Sequence, residues 1–536
     1  MPTDSPSTAQ HYDVVVVGAG FAGLYALHKF RDQLGLRVRV IEQAGDVGGT
    51  WYYNRYPGAR CDIESFNYSY SFSEELQQEW VWTERFAGQP EILRYLNHVA
   101  DRFDLRRDIA FSTVVESAEF TGDGWSINTT NGTFTAQHFV AAAGNLSVAK
   151  DPGLVGLDDY EGEVYTSSAW PHEGVDFTGK RVAVIGTGAS GTQLIPELAA
   201  QALELTVFQR TPNYATPIGN GPMDHELQQQ LKPNYAKLRE RSRANFGGFP
   251  YEQSQPSALA VSPAERRQTF EARWSQGGFR LFLDSYQDLL VDPVANETAA
   301  EFIRDKIRER VTDPAIAELL TPTGYPYGTK RPPLETNYYE TFNRPNVQLV
   351  DLRREPLERF TAKGIETSDG VREFDAVVLA TGFDAMTGPV LRLGIRGRDG
   401  KALTEHWSEG PRTYLGLMVN GFPNLYLVTG PQSPSVLYNG PLAVEDHVDW
   451  IADSISHLRA DGLTTIEPSA EAETDWIEQT LAIAEQTLLP QTDSWYMGAN
   501  IEGKPRVCMV YLGGVPQYRQ ICAEIVADNY RGFHLS

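Results

Sequence analysis

The sequence predicts an α/β fold of two Rossmann-like dinucleotide-binding domains with a helical insertion. Two observations carry that expectation. The apolar run Val14 to Val17 leads into Gly18-Ala19-Gly20-Phe21-Ala22-Gly23, and Val182 to Ile185 leads into Gly186-Thr187-Gly188-Ala189-Ser190-Gly191. Each has the form of a strand, a glycine loop and a helix start. In such a loop the first glycine permits the tight turn. The second lets the backbone approach a pyrophosphate, and the third lets helix and strand pack closely. One loop is a weak signal. Two, about 170 residues apart, imply one chain holding two dinucleotides, the layout of a flavoenzyme reduced by a nicotinamide.

The residues beyond each loop separate the two sites. Val38-Arg39-Val40-Ile41-Glu42 reads as a second strand ending in an acid. A carboxylate there accepts hydrogen bonds from a ribose diol and repels a 2′-phosphate, so the first site suits FAD or NAD. The second site has Leu205-Thr206-Val207-Phe208-Gln209, then Arg210-Thr211 and no acid. Arginine suits a 2′-phosphate, which points to NADP(H). Taken singly, Glu42 and Arg210 would pass for ordinary strand-end residues. Their glycine loops give them a purpose.

The rest of the chain follows in order. The first unit closes near Phe139-Val140-Ala141-Ala142-Ala143-Gly144, and Leu154 to Pro171 reads as a linker rich in Gly, Ser and acids. After Pro217 the pattern turns helical, in Glu226 to Phe246, in Ala264 to Trp274, and in Ala299 to Val311, where Ile303, Ile307 and Val311 form one face. The core resumes with Phe374 to Gly382. The expected partition is 1–145 and 383–536 for the FAD domain, 146–216 and 326–382 for the NADP domain, and 217–325 for the insertion.

Composition bounds the function. At 536 residues, 41% hydrophobic and 22% charged, this is a multidomain globular chain. A net charge of −24 argues against nucleic acid and anionic membranes. No apolar run approaches the ~20 residues of a membrane helix. The opening Met1 to Pro6 lacks a signal-peptide pattern and reads as a disordered tail. Cys61, Cys508 and Cys522 form no CxxC pair, which excludes dithiol flavoprotein reductases and fits a reducing cytoplasm. The histidines show no metal-ligand spacing, so no metal is expected. The oligomeric state stays open, with a monomer the simplest expectation.

Gly48 to Ser65 is dense in aromatics and glycine and too irregular for a helix or strand. Such a loop can wrap an isoalloxazine ring, with Trp51 and Tyr56 as flat walls. Gly328-Thr329-Lys330-Arg331-Pro332-Pro333 puts two cations before two prolines, which hold Arg331 extended. These stretches, the two glycine loops, and Tyr160-Glu161-Gly162 through Trp170-Pro171 resemble the Baeyer–Villiger monooxygenases, a branch of the flavin-containing monooxygenases. The likeness runs over nearly the whole chain. It is strongest to phenylacetone- and steroid-type members, through Arg60 to Ser65 and Gly430 to Ser435.

The resemblance implies oxidation of a ketone to an ester or lactone with NADPH and O2, through a flavin C4a-peroxide. It makes Arg331 the active-site cation and Asp62 its carboxylate partner. The chemistry needs such a cation, because a guanidinium stabilises both the anionic peroxide and the oxyanion of its adduct with the ketone. The likeness places Thr50, Trp51, Tyr56, Asp62 and Tyr68 around the flavin. Gln193, Arg210, Thr211 and Lys330 fall at the NADP site, with Trp495 covering the nicotinamide side. Ser435, Val436, Leu437 and Tyr438 match the ketone pocket, which the bulk of Tyr438 would narrow. One departure stands out. The family fingerprint F-x-G-x-x-x-H-x-x-x-W-P has Tyr160 for its phenylalanine and Thr166 for its histidine, and Thr166 is expected to affect domain coupling more than chemistry. Oxygenation of sulfur or nitrogen, and an NADPH oxidase without oxygenated product, remain as alternatives.

Overall fold

A computed structural model describes residues 10–251 and 254–536. The N-terminal tail lies outside the described residues. The first sheet is built on β1 (Gln10–Val17), β2 (Val38–Ile41), β3 (Ile109–Ala110), β4 (Val115–Phe120), β5 (Trp125–Thr129) and β6 (Gly132–Ala141). β1 lies between β2 and β6 and is parallel to both, while β4, β5 and β6 form an antiparallel meander. The late strands Ile395–Arg396 and Leu425–Leu427 join this sheet beside β4 and β6. The burial of β1 shows why its run is continuously apolar. Val14 and Val16 enter one core and Val15 and Val17 another, one on each face of the sheet.

The second sheet has five strands, all parallel. Its order is Val347–Asp351, β9 (Glu204–Gln209), β8 (Arg181–Ile185), Ala376–Leu379 and β7 (Glu163–Thr166). β8 repeats the two-faced pattern, with Val182 and Val184 in one core and Ala183 and Ile185 in another. β7 is a correction: the stretch read as a linker contains the edge strand of this sheet. Glu163 to Thr166 are all exposed or half-buried, so they carry no apolar run to mark them.

The insertion is helical, with helices at Tyr235–Arg243, Pro263–Gln276 and Pro293–Arg310 among others. Ile303 and Ile307 are fully buried and Val311 nearly so, and they pack into the core of the second domain. A three-stranded antiparallel unit over Leu357–Glu373 carried no signal we had read. Two crossings join the domains, and they pair with each other. Lys150 N–H donates to Gly382 O at 3.0 Å and Asp384 N–H to Val148 O at 2.9 Å. Among the described residues, no helix is long and apolar enough to cross a membrane.

Candidate active site

The two glycine loops have the shape that phosphate approach requires. Gly18 and Gly186 sit at φ +103° and +110°, and a Cβ on either would lie 2.5 Å and 2.3 Å from the carbonyls of Ala142 and Ala380. Gly23 and Gly191 leave the helix no room, since a Cβ would lie 1.7 Å and 2.3 Å from the carbonyls of Gly18 and Gly186. The second glycines differ. A Cβ on Gly188 would meet nothing within 4 Å, and one on Gly20 only the backbone of Gly48 and Gly49 at 3.4 Å or more. The open side belongs to the position that a diphosphate approaches. Beside these glycines, Phe21 and Ala22 are half-buried, Thr187 is buried, and Ala189 and Ser190 lie at the helix start.

Glu42 ends β2 as a buried carboxylate. One oxygen accepts from Ala19 N–H at 2.6 Å and the other from Ala44 N–H at 2.7 Å. Burial holds its pKa above the ordinary carboxylate value, and the backbone donors oppose that. A carboxylate has about four acceptor sites, and the backbone of Ala19, Gln43 and Ala44 leaves part of that capacity for a ribose diol. The residues therefore fit an FAD at this loop. In the loop after Gly48, Trp51 is buried and donates Nε1–H to the Tyr68 hydroxyl at 3.1 Å, with Phe21 packed on Tyr68. Thr50 is exposed at the head of the helix Thr50–Tyr53.

Tyr56 corrects the expected pairing with Trp51. Its ring joins the core of the second domain, and its hydroxyl donates to Gln193 Oε1 at 2.9 Å. Gln193 in turn donates to Arg60 O at 3.1 Å. Both residues fasten the loop to the helix Ala189–Gln201. A β-carbon at Gly58 would lie 2.5 Å from Gln193 O, which shows how closely loop and helix approach.

Arg331 and Asp62, 269 residues apart, meet as a bidentate pair. Nε–H donates to one carboxylate oxygen at 2.8 Å and Nη2–H to the other at 2.9 Å. Nη1–H donates to Val436 O at 2.8 Å, and the guanidinium carbon lies 4.7 Å from the Phe279 ring centre. Burial alone would lower the arginine pKa, but Asp62 more than offsets it and holds the value above the ordinary one. At least three of the five N–H groups are used, and the Tyr496 hydroxyl is a further hydrogen-bonding neighbour of the guanidinium.

An apolar cavity opens beside Arg331, and with the solvent at its mouth it spans about 480 Å³. Phe246, Phe249, Phe279, Phe282, Leu437, Tyr496 and Leu512 line it. Arg331 supplies its charge. Burial pushes the Tyr496 hydroxyl up to about 12, so it stays neutral. Of the four pocket residues expected, Leu437 lines the cavity and Val436 reaches Arg331 through its carbonyl. Ser435 is buried and donates to Thr429 O at 3.1 Å. Tyr438 is a second correction. It packs on Gly248, and its hydroxyl donates to Asp446 at 2.5 Å, so it does not narrow the pocket. The insertion's phenylalanines were missed. Asn245-Phe246-Gly247-Gly248-Phe249 and Gly277-Gly278-Phe279 share the aromatic–glycine texture of the Gly48 loop, and that texture could have flagged them.

At the second loop, Arg210 is exposed and Thr211 half-buried, with Thr211 O accepting from the Thr187 hydroxyl at 3.4 Å. Lys330 Nζ sits 4.6 Å over the Tyr325 ring. Burial lowers the Lys330 pKa, and the charge of Arg210 lowers it further. Trp495 is half-buried against Tyr496, 4.4 Å between ring centres, on the segment adjoining the cavity.

The departed fingerprint is legible in three dimensions. A Cβ on Gly162 would lie 2.2 Å from the Tyr160 hydroxyl, so the ring folds over the glycine. That hydroxyl donates to Phe374 O at 2.9 Å, which accounts for Tyr in place of Phe. Trp170 is buried and its N–H donates to Tyr53 O at 3.3 Å, tying this segment to the flavin-side loop. Thr166 is the last residue of β7, opposite Leu379.

A family model described as "Pyridine nucleotide-disulphide oxidoreductase" matches residues 15–241. The three cysteines are nonetheless free, and burial pushes the Cys61 thiol well above its ordinary value. An acetone monooxygenase (methyl acetate-forming) of Gordonia sp. (strain TY-5) is 44% identical, covering 98% of this chain and 99% of its own. A phenazine N-monooxygenase of Lysobacter antibioticus is 41% identical, covering 98% and 97%. The solved structure of an oxidized steroid monooxygenase bound to NADP superposes with a TM-score of 0.94 at 52% identity, covering 98% and 99%.

Proposed function

This chain belongs to the Baeyer–Villiger monooxygenases, and from that premise we propose that Arg331, aimed by Asp62, is the cation at which it oxidises ketones. It is an FAD-dependent NADPH monooxygenase. A ketone, O2, NADPH and a proton become an ester or lactone, NADP⁺ and water. When bound, FAD accepts hydride from NADPH and activates O2.

The protein's own residues supply position and charge. The bidentate pair with Asp62 fixes the guanidinium plane, so its positive charge is held in place to meet developing negative charge without reorganisation. The phenylalanine lining makes the surroundings of the guanidinium less polar than water, which strengthens that interaction. Arg210 follows the end of β9 and Lys330 lies in the loop before Leu334, near enough for each to feel the other's charge, which supports the preference for NADPH. A guanidinium held charged by Asp62 does not give up a proton, so its part is electrostatic.

The single observation that carries this reading is one paired cation facing an otherwise apolar cavity. It favours a ketone with hydrocarbon flanks. A second reading, oxygenation at nitrogen, is favoured by the phenazine N-monooxygenase relative. A panel of aliphatic, cyclic and aryl ketones beside aromatic N-heterocycles, with NADPH and mass-spectrometric product identification, separates them. Esters or lactones are expected. N-oxides without esters would overturn the reading.

A further inference from the structure

A third cation lies near the end of the second sheet that carries Arg210. Lys150 lies on the first crossing between the domains, remote in sequence from Arg210 and Lys330. Its backbone is pinned: Lys150 N–H donates to Gly382 O at 3.0 Å, and Ala149 bridges Phe383. Gly382 follows the strand Ala376–Leu379. In the sheet, that strand is the neighbour of β8, and β8 is the neighbour of β9. The carboxyl ends of these three strands therefore present Lys150, the Gly186 loop and Arg210 along one rim. Ligands of such sheets bind there.

The electrostatics agree with that placement. Burial lowers the Lys150 pKa, and the next cause is the charge of Arg210. The same two causes lead for Lys330. Arg210 thus lies within the field of both lysines. Among the described residues, none of the three makes an ion pair, in a chain of net charge −24. Asp493 partly offsets the repulsion at Lys330, but none of the three cations is ion-paired among the described residues, and an added dianion stabilises them together.

We propose that Lys150 is a third cation of the site for the 2′-phosphate of NADPH, and so helps set the choice of NADPH over NADH. This rests on the reading of Arg210 and Lys330 as phosphate-site residues. Lys150 is a specificity residue and touches no reacting atom.

The test uses the full-length, FAD-loaded protein. Lys150→Met, Lys150→Arg and Arg210→Ala are titrated calorimetrically with NADP⁺, 2′-phospho-AMP and AMP, and KM is measured for NADPH and NADH. Lys150→Met is expected to weaken NADP⁺ and 2′-phospho-AMP about tenfold, the loss of one charge-assisted contact. AMP binding and KM for NADH should stay unchanged, and Lys150→Arg should keep the parent preference. Equal weakening of NADPH and NADH would overturn the inference, because a diphosphate contact or a folding defect produces that pattern. No weakening of either would overturn it too. If Arg210→Ala also leaves 2′-phospho-AMP binding intact, the phosphate site lies elsewhere and the underlying reading falls with it. If Arg210→Ala weakens binding and Lys150→Met does not, only the role of Lys150 fails.

Discussion

Replacing Asp62 by alanine separates the presence of the Arg331 charge from its aim. Arg331 would lose both carboxylate bonds, at 2.8 and 2.9 Å, and keep only Val436 O and the face of Phe279. A guanidinium does not deprotonate in response, so the charge stays. Removing one partner of a fully buried pair costs ~3–5 kcal/mol. Here the side chains are 23% and 27% exposed, and water can partly replace the carboxylate, so about 2 kcal/mol of stability is expected to go. The catalytic loss comes from misplacement. An oxyanion donor displaced by about 1 Å forfeits about a hundredfold, so ester formation should fall ~10- to 100-fold. Asp62→Asn should fall between parent and Asp62→Ala, because one acceptor survives without its charge. Ester is measured by gas chromatography alongside NADPH consumption and released hydrogen peroxide, with FAD content as a control. The expected pattern is full FAD, continued NADPH oxidation, less ester and more peroxide. Asp62→Ala that makes ester at the parent rate, with parent coupling, would refute the idea that the carboxylate aims the arginine.

Gly188→Ala should fold and keep FAD, since its methyl meets no protein atom within 4 Å, yet raise KM for NADPH at least ~10-fold by standing where the diphosphate approaches. An unchanged KM would place the dinucleotide elsewhere. Gly23→Ala should instead lose FAD and unfold at lower temperature, because its Cβ would overlap Gly18 O; parent-like FAD content would contradict the packing argument. Thr166→His should reduce the hydrogen peroxide released per NADPH consumed with FAD binding unchanged, and an unaltered ratio would make the position neutral. His447 and His138 are buried and neutral, with burial pushing them down to about 3 and about 4. The unfolded chain takes up protons below its histidine pKa of ~6.5, so each residue costs stability as pH falls from there toward its folded value, about 1.4 kcal/mol per pH unit. Denaturant titrations at pH 7 and pH 5 check the slope, which His447→Gln should flatten.

The parts of this fold written in local sequence were legible, and those written in tertiary contact were not. Val14 to Val17 and Val182 to Ile185 announce buried parallel strands because both faces of each are covered. β7 went unseen because an edge strand with a half-exposed face has no such run. Arg331 and Asp62 were readable only through resemblance, since no local rule links residues 269 apart. The Tyr438 error has a related cause. Neighbouring positions on a short turn face different ways, so Leu437 lines the cavity while Tyr438 turns to Asp446. Phe246 and Phe279 were hidden because they come from an insertion whose helices pack on the other domain, and only the fold brings their loops to Arg331.

The most direct measurement of the central claim is product formation by Arg331→Ala, followed in the same reaction as NADPH oxidation. In the proposed function, FAD binding and hydride transfer rest on the glycine loops, Glu42 and the cations Arg210 and Lys330, all of which the substitution leaves in place. The variant should therefore remain yellow and still consume NADPH. Loss of one preorganised stabiliser of an oxyanion costs ~10²–10³ in rate, so ester or lactone should fall by at least that factor while hydrogen peroxide accounts for the NADPH consumed. Ester made at close to the parent rate would contradict the account, and would move the oxygenation site away from Arg331.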